Sequence, residues 1–275
     1  MISRTQIVDT TVEVNCPDRD VLNAMGRRIN SAEHRLAPAH RISLRIDREG
    51  GSYVLPSGHR EIAPEIAVQA LWQQINQKLQ TTLSSWLQIS GVCIDHDGRR
   101  LLVLGDLAAV RKLLALHCLC SELDVPSADG ICLRDGIAVP YALPTLLSQS
   151  DVLRFTAHAG FSLNAGEDHD ETGTIRYSVT PFHFGRQWIV DARQISIVAR
   201  LTWNPGGWSG VRRLSNDSLL ESILEASYLP HAHDLAARLP LLHAARTLAA
   251  SATGVDLRLG RPEAAAPLLM DCLRA

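Results

Sequence analysis

Apolar and polar positions along this 275-residue chain switch repeatedly between a two-residue and a helical period. The segment "TTVEVN" alternates like a strand, and Asp18 is placed to cap a helix through "RDVLNAMGRRIN". "RISLRIDREGGSYVLPSG" predicts two strands around a turn at Glu49-Gly50-Gly51. Pro64 suits a first helical position. Ile66, Ala70, Ile75, Leu79, Leu83 and Leu87 then keep helical spacing, which predicts one long amphipathic helix from Pro64 to Gln88. The strand "SGVCI", the turn "DHDG" and the strand "RRLLVLG" form a hairpin.

Val110 to Leu123 is apolar on nearly every side and predicts a buried helix. "VPSADGICLRDGIAVPYALP" reads as two short strands with a further turn at Arg134-Asp135-Gly136. Residues 160–174 read as a polar, acidic loop. Strands are expected in "TIRYSVTPFHF" and "QISIVARLTW", followed by the glycine-rich loop "NPGGWSG". The remainder reads as helical: Ser215 or Asn216 caps "DSLLESILEASYL", Pro240 interrupts the next helix, Gly254 ends it, and Pro262 starts "PEAAAPLLMDCLR". A compositional shift near residue 90 divides the chain into an N-terminal α/β region, 1–88, and a core with a helical C-terminal end, 89–275.

Composition narrows the classes. Hydrophobic residues make up 46% and charged residues 20%, the balance of a soluble globular protein. A net charge of −2 provides no bulk attraction for nucleic acid or an anionic membrane, so neither is expected as a partner. No apolar run reaches the roughly 18 residues of a spanning helix. "MISRTQIVDTTVEV" lacks the apolar core of a signal peptide, so a cytoplasmic location is expected. The six cysteines form no CxxC pair and read as buried small hydrophobes in a reducing compartment.

The stretch "RRLLVLGDLAAVRKLLALHC" has the layout of a phosphate-binding loop: an apolar strand, Gly105, a loop and an apolar helix. A working loop reads GxxxxGK[ST]; its backbone amides wrap the phosphates, its Lys reaches them and its hydroxyl holds Mg²⁺. Aligned from Gly105, Val110 replaces the second glycine, Arg111 the lysine and Lys112 the Ser/Thr. Val110 disfavours positive φ and would crowd a phosphate. Arg111 retains charge on a planar fork, and Lys112 puts a cation where Mg²⁺ would sit. Gly105, the helix N-terminus and the two cations leave weak anion binding open.

Other candidates are plainer. "DHDG" (95–98) and "EDHDE" (167–171) read as solvated turn and loop residues, and no residue is assigned to a metal. His231 and His233 read as surface polar residues at a helix start, and "GFSLN" makes no nucleophile elbow. In "NPGGWSGVRR", Arg212 and Arg213 after a glycine-rich loop are candidates for binding an anion or a partner. The competing reading is a flexible turn with exposed arginines. Trp203 and Trp208 flank it, and an exposed Trp there would mark a partner surface.

From about residue 64 to residue 150, the ordered pieces "LWQQINQKLQTTLSSWLQ", "ISGVCI", "DHDGRRLLVLG", "GDLAAVRKLLALHCL", "DVPSADGICLRDG" and "IAVPYALP" resemble the HPr serine kinase-like (HPr-kinase-related) family. "WIVDARQISIVARLTWNPG" and the helical tail also fit its layout. The resemblance implies a mixed α/β (α+β) fold with a phosphoenolpyruvate-carboxykinase-like P-loop core. In active members it implies ATP- and Mg²⁺-dependent phosphorylation of a serine on a protein or peptide. Measured against the family pattern, Ser90 stands where a histidine is usual, and Arg111 and Lys112 replace the phosphate and Mg²⁺ ligands. "SADG" keeps one Asp, Asp129, of a pair that supplies the catalytic acid/base. Asp129 is therefore the candidate base, with a plain turn aspartate before Gly130 as the competing reading.

This pattern implies a catalytically degenerate kinase-like protein, a pseudokinase, serving as a binding or scaffold subunit for a peptide or protein partner, with peptide modification as the family setting. One alternative is an ATP-dependent kinase with a rebuilt site, in which Arg111 and Lys112 grip phosphate, Asp129 acts on an acceptor hydroxyl, and ATP and Mg²⁺ are the cofactors. Another is a nucleotide-binding sensor without turnover. Active relatives often assemble, so a homo-oligomer stays open.

Overall fold

The computed structural model describes residues 1–28, 32–61, 63–105, 107–159, 166–169, 174–228 and 235–275. Strands β1 (Ile2–Ile7) and β2 (Thr10–Asn15) form a hairpin. Helix α1 (Arg19–Arg28) follows, started by Asp18, whose carboxylate accepts the Asp20 N–H at 2.8 Å. After β3 (Glu33–His34), strand β4 (His40–Arg45) lies parallel to β2 and completes a three-stranded sheet. Strands β5 (Asp47–Glu49), β6 (Ser52–Val54) and β7 (Arg60–Glu61) form a second small sheet, turned at Gly50-Gly51. Helix α2 (Pro64–Thr82) ends at Thr82, six residues short of the expected Gln88. Residues 83–86 form a turn in which Trp86 N–H donates to Leu83 O at 2.9 Å, and Leu87 opens strand β8 (Leu87–Ser90). Helical spacing outlasts the helix because Leu83 and Trp86 remain buried in the core that α2 serves.

Strands β9 (Val92–His96) and β10 (Arg99–Leu104) join through Asp97-Gly98, with φ of 48° and 78°. Positive φ at both positions gives the turn whose twist matches a two-residue hairpin. Helix α3 (Ala108–Leu119) and strand β11 (Asp124–Ser127) come next. Strands β12 (Gly130–Arg134) and β13 (Ile137–Pro140) are turned in the same way at Asp135-Gly136. Beyond β14 (Thr145–Leu147) and α4 (Gln149–Ala159) lie β15 (Gly166–His169) and β16 (Ile175–Val179), which pair antiparallel. Part of the expected 160–174 loop is thus a strand, and so is the start of "EDHDE"; "GFSLN" falls outside the described residues.

The chain continues through β17 (Ile189–Val190), β18 (Ile197–Trp203) and β19 (Gly210–Arg213) to α5 (Asn216–Glu225), capped by the Ser215 hydroxyl. Strand β20 (Ser227–Tyr228), helix α6 (Leu235–Ser251), strand β21 (Thr253–Leu259) and helix α7 (Ala265–Arg274) complete it. The C-terminal part is not all helical. Gly254 lies inside β21 instead of ending a helix, and Pro240 sits within α6 without breaking it. His231 and His233 lie outside the described residues.

The main sheet has the order β11-β9-β10-β18-β21-β19, with β10, β18 and β21 parallel and the outer strands antiparallel. Helices α3 and α7 cover one face, where Leu114 and Leu269 share a cluster with Val103, Ala199 and Leu257. Helices α5 and α6 cover the other, where Leu219 and Leu248 share a cluster with Leu102 and Val198. Each fully buried Leu or Val contributes about 1.5–3 kcal/mol. The result is a mixed α/β fold. A four-stranded sheet, β13-β12-β8-β20, shares an apolar cluster with the main one, in which Leu87, Ile89, Ile131 and Leu133 join Leu102 and Val198. The cluster around α2 also takes in Cys132, Val139, Trp188 and Val190, so apolar packing crosses residue 88. Cys16, Cys93, Cys118 and Cys132 are buried as expected, but Cys120 is exposed and Cys272 half-buried. Among the described residues, no helix is long and apolar enough to cross a membrane.

Candidate functional site

The site grows from the junction of β10 and α3. Gly105 has φ 155°, and a Cβ there would sit 3.0 Å from Leu201 Cβ and 3.1 Å from Leu201 O. The close approach of β18 therefore requires glycine. Helix α3 starts at Ala108, two residues before the expected start at Val110, and ends at Leu119. Residues 105–107 alone connect strand to helix, and Arg111 N–H already donates to Leu107 O at 3.1 Å. A phosphate loop needs four residues after its first glycine to turn amides around the phosphates; here Ala108 and Ala109 are helical. Asp106 lies outside the described residues.

Side chains complete the closure. Val110, expected to crowd a phosphate, turns into the core shared by α3 and α7 and is 9% exposed. Arg111 lies across the junction instead, donating to Gly105 O through Nη1 and to Ser90 Oγ through Nη2 at 3.0 Å. Lys112 Nζ donates to Leu146 O on β14 at 2.9 Å. Lys112 offers no oxygen to a metal, and both cations are bonded within the fold. These residues do not fit ATP–Mg²⁺ held in the manner of a working loop.

Asp129 occupies the bend between β11 and β12. Ser127 Oγ shapes that bend: it accepts the Asp129 and Gly130 N–H groups, each at 3.2 Å, and donates to Tyr141 O at 2.7 Å. Gly130 is pressed so closely on β8 that a Cβ would lie 2.4 Å from Ile89 O. Asp129 lines a cleft of ≈320 Å³ together with Asn76, Gln80, Ser90, Tyr141 and Tyr228. Burial pushes its carboxyl above the ordinary range, and the charges of Lys112 and Arg111 pull it part of the way back. Its carboxylate makes no hydrogen bond among the described residues, so it can take one from a group entering the cleft.

The structure brings Gly105, Arg111, Lys112, Ser90 and Asp129 to one region. Arg212 and Arg213 belong elsewhere, on β19 and not in a loop. Arg212 Nε donates to Asp256 at 3.0 Å. The same carboxylate, 1% exposed, accepts from Thr202 Oγ at 2.9 Å, from Arg200 at 3.3 Å and from Arg258 at 3.4 Å. Burial would raise the Asp256 pKa; the Thr202 hydroxyl and the guanidiniums outweigh it and hold the group below the usual carboxylate range. Trp208 is 60% exposed, with the Arg258 guanidinium 5.5 Å from its ring centroid.

Sequence reasoning misses Asp256 because it reads the chain after the glycine-rich loop as helical, with Gly254 ending a helix. The signal is present as strand alternation, with Val255, Leu257 and Leu259 against Asp256 and Arg258. It also misses Arg100. "DHDG" is not a wholly solvated turn, because Asp95 is buried and accepts Arg100 Nε at 2.8 Å and Nη2 at 2.7 Å. Arg100 is 0% exposed and reaches Asp191 at 2.9 Å as well. Among the described residues, no three His, Cys, Asp or Glu side chains gather to hold a metal.

No family model and no curated protein sequence matches this chain. Its structure is distantly similar to the HPr(Ser) kinase/phosphatase from Coxiella burnetii, with a TM-score of 0.31 and 11% identity over 68% of this chain and 93% of that one.

Proposed function

We propose that the chain is a catalytically degenerate, HPr-kinase-like protein with a P-loop-type core, working as a binding or scaffold subunit for a peptide or protein partner. The observation that carries this reading is the three-residue connection 105–107, bridged by Arg111. Phosphoryl transfer depends on positioning and on charge neutralisation by metal and cations. Here Ala108 and Ala109 lie in the first turn of α3 instead of in a loop that wraps a phosphate, and Arg111 and Lys112 are bonded to Gly105, Ser90 and Leu146. Isothermal titration with ATP and a non-hydrolysable analogue, with and without Mg²⁺, tests it. The expected result is no heat up to millimolar ligand. Micromolar binding overturns the reading.

One observation favours a second reading, a transferase with a rebuilt site. Asp129 lines a cleft with the Ser90 hydroxyl, and burial raises its pKa above the ordinary carboxylate range. Such a carboxyl suits proton transfer with an acceptor hydroxyl. If ATP binds and phosphate moves to a peptide, Asp129→Asn should remove the transfer; a binding subunit would lose nothing by that change.

A further inference from the structure

Strand β19 ends the main sheet, and no described strand pairs with its outer side. The register fixes which backbone groups are free there. Leu214 N–H donates to Gly254 O at 2.9 Å, one step beyond the Arg213–Val255 pair. Hydrogen-bonded and non-bonded pairs alternate along an antiparallel ladder. Gly210 and Arg212 therefore bond inward to β21, while Val211 and Arg213 direct their N–H and C=O groups away from the sheet. Val211, Arg212 and Arg213 are all exposed.

The side chains along this edge are basic. Arg200, Arg212 and Arg258 share the single carboxylate of Asp256, so three positive charges meet one negative. Arg212 and Arg258 reach Asp256 through Nε, which leaves their terminal nitrogens without a hydrogen bond among the described residues. Arg213 forms no ion pair among them. The whole chain carries −2, so this excess is local. A second copy pairing β19 to β19 would set these arginines against one another, and like charges directly opposite destabilise a ladder.

We propose that the outer edge of β19 receives an extended acidic segment of a partner protein as an added strand, with carboxylates on Arg212 and Arg213 and an apolar side chain on Trp208. Strand addition draws affinity from main-chain hydrogen bonds and specificity from alternate side chains. Bidentate recognition of a carboxylate suits the Arg212 guanidinium, already oriented by Asp256, and Arg213 adds a second guanidinium on the same strand. The proposal rests on the reading of the chain as a binding subunit.

Fluorescence anisotropy tests it with the full chain and a fluorescein-labelled peptide repeating Glu-Glu-Val-Thr, whose carboxylates project from both faces of a strand as Arg212 and Arg213 do, against a Lys-Lys-Val-Thr control. The Glu peptide should bind and weaken as salt is raised. Arg213→Glu should lower its affinity by about tenfold or more. Val211→Pro removes an outward N–H but no bond to β21, and should abolish binding with the circular dichroism unchanged. If the proline variant misfolds, the Glu peptide N-methylated at alternate residues takes its place: stripped of the N–H groups that strand addition needs, it should not bind, and undiminished binding overturns the proposal. Four other results would overturn the proposal: no binding up to millimolar peptide; equal binding of the Lys peptide; binding kept in Val211→Pro but lost in Arg213→Glu, which reduces the edge to side-chain charge; or a dimer that Val211→Pro disperses. ATP titration of the same preparation is independent. A silent titration without peptide binding rejects strand addition alone, whereas micromolar ATP binding removes the reading beneath it.

Discussion

The Arg111 guanidinium donates to the Ser90 hydroxyl at 3.0 Å, and its other terminal nitrogen donates to the Gly105 carbonyl. One side chain thereby ties the end of β8 to the point where β10 passes into α3. Arg111→Ala should lower the free energy of unfolding by about 1–2 kcal/mol, the worth of such charged hydrogen bonds. A urea titration reads this directly. ATP titration of the variant should stay silent, because the connection is still three residues long. A gain of micromolar ATP affinity would show that Arg111 was a plug over a competent loop.

Asp129 makes stability depend on pH in a defined direction. Its folded pKa is raised by burial above the unfolded value, so the native state holds the proton to higher pH than the unfolded chain does. Stability associated with this group is full below the unfolded value and is lost as pH rises through the folded one. Asp129→Asn should therefore melt higher than wild type at neutral pH, with the difference closing in acid. Thermal melts across that range check it; a variant that melts lower at neutral pH contradicts the burial argument.

Asp256 works in the opposite sense. Its folded pKa is depressed, so its stabilisation is present above the unfolded value and is lost as pH falls through the folded one. Asp256→Asn should cost about 1–2 kcal/mol at neutral pH, since Arg200, Arg212 and Arg258 are partly solvated and their pairing is screened. Melts of the variant and the wild type should converge at low pH.

Arg100 is the largest fully buried side chain among the described residues. Arg100→Met leaves Asp95 and Asp191 short of their buried cation and should destabilise by about 3 kcal/mol or more. Arg193 stays 2.8 Å from Asp191 and holds part of that charge. Adding Asp95→Leu should restore some of the loss, a recovery visible in the same denaturation series.

The legible parts of the fold are those with a local cause. Asp97-Gly98 and Asp135-Gly136 announce hairpins because few other residue pairs accept positive φ twice in succession. The apolar surround of α3 announces a buried helix. The end of α2 is hidden, because Leu83 and Trp86 stay on the helical stripe while the backbone turns away. Strand β21 is hidden behind α6, whose apolar run leads the eye past Ser251. At the site, Gly105, Arg111, Lys112 and Asp129 can be singled out by position in a pattern. The partners that decide what they do, Leu146 for Lys112 and the Gly105 carbonyl for Arg111, come from tertiary packing that no local pattern carries.

The place of β21 between β18 and β19 also sets a timetable for synthesis. β18 and β19 leave the ribosome with α5 and α6 still to come, and in the folded sheet neither pairs with the other. Until Thr253–Leu259 emerges, β18 has one bare edge and β19 has two. A nascent chain in that state displays strand edges beside unclosed apolar surface, the condition that recruits chaperones or leads to aggregation. Stalling or truncation just before residue 253 should therefore be far more damaging than the loss of a single seven-residue strand suggests.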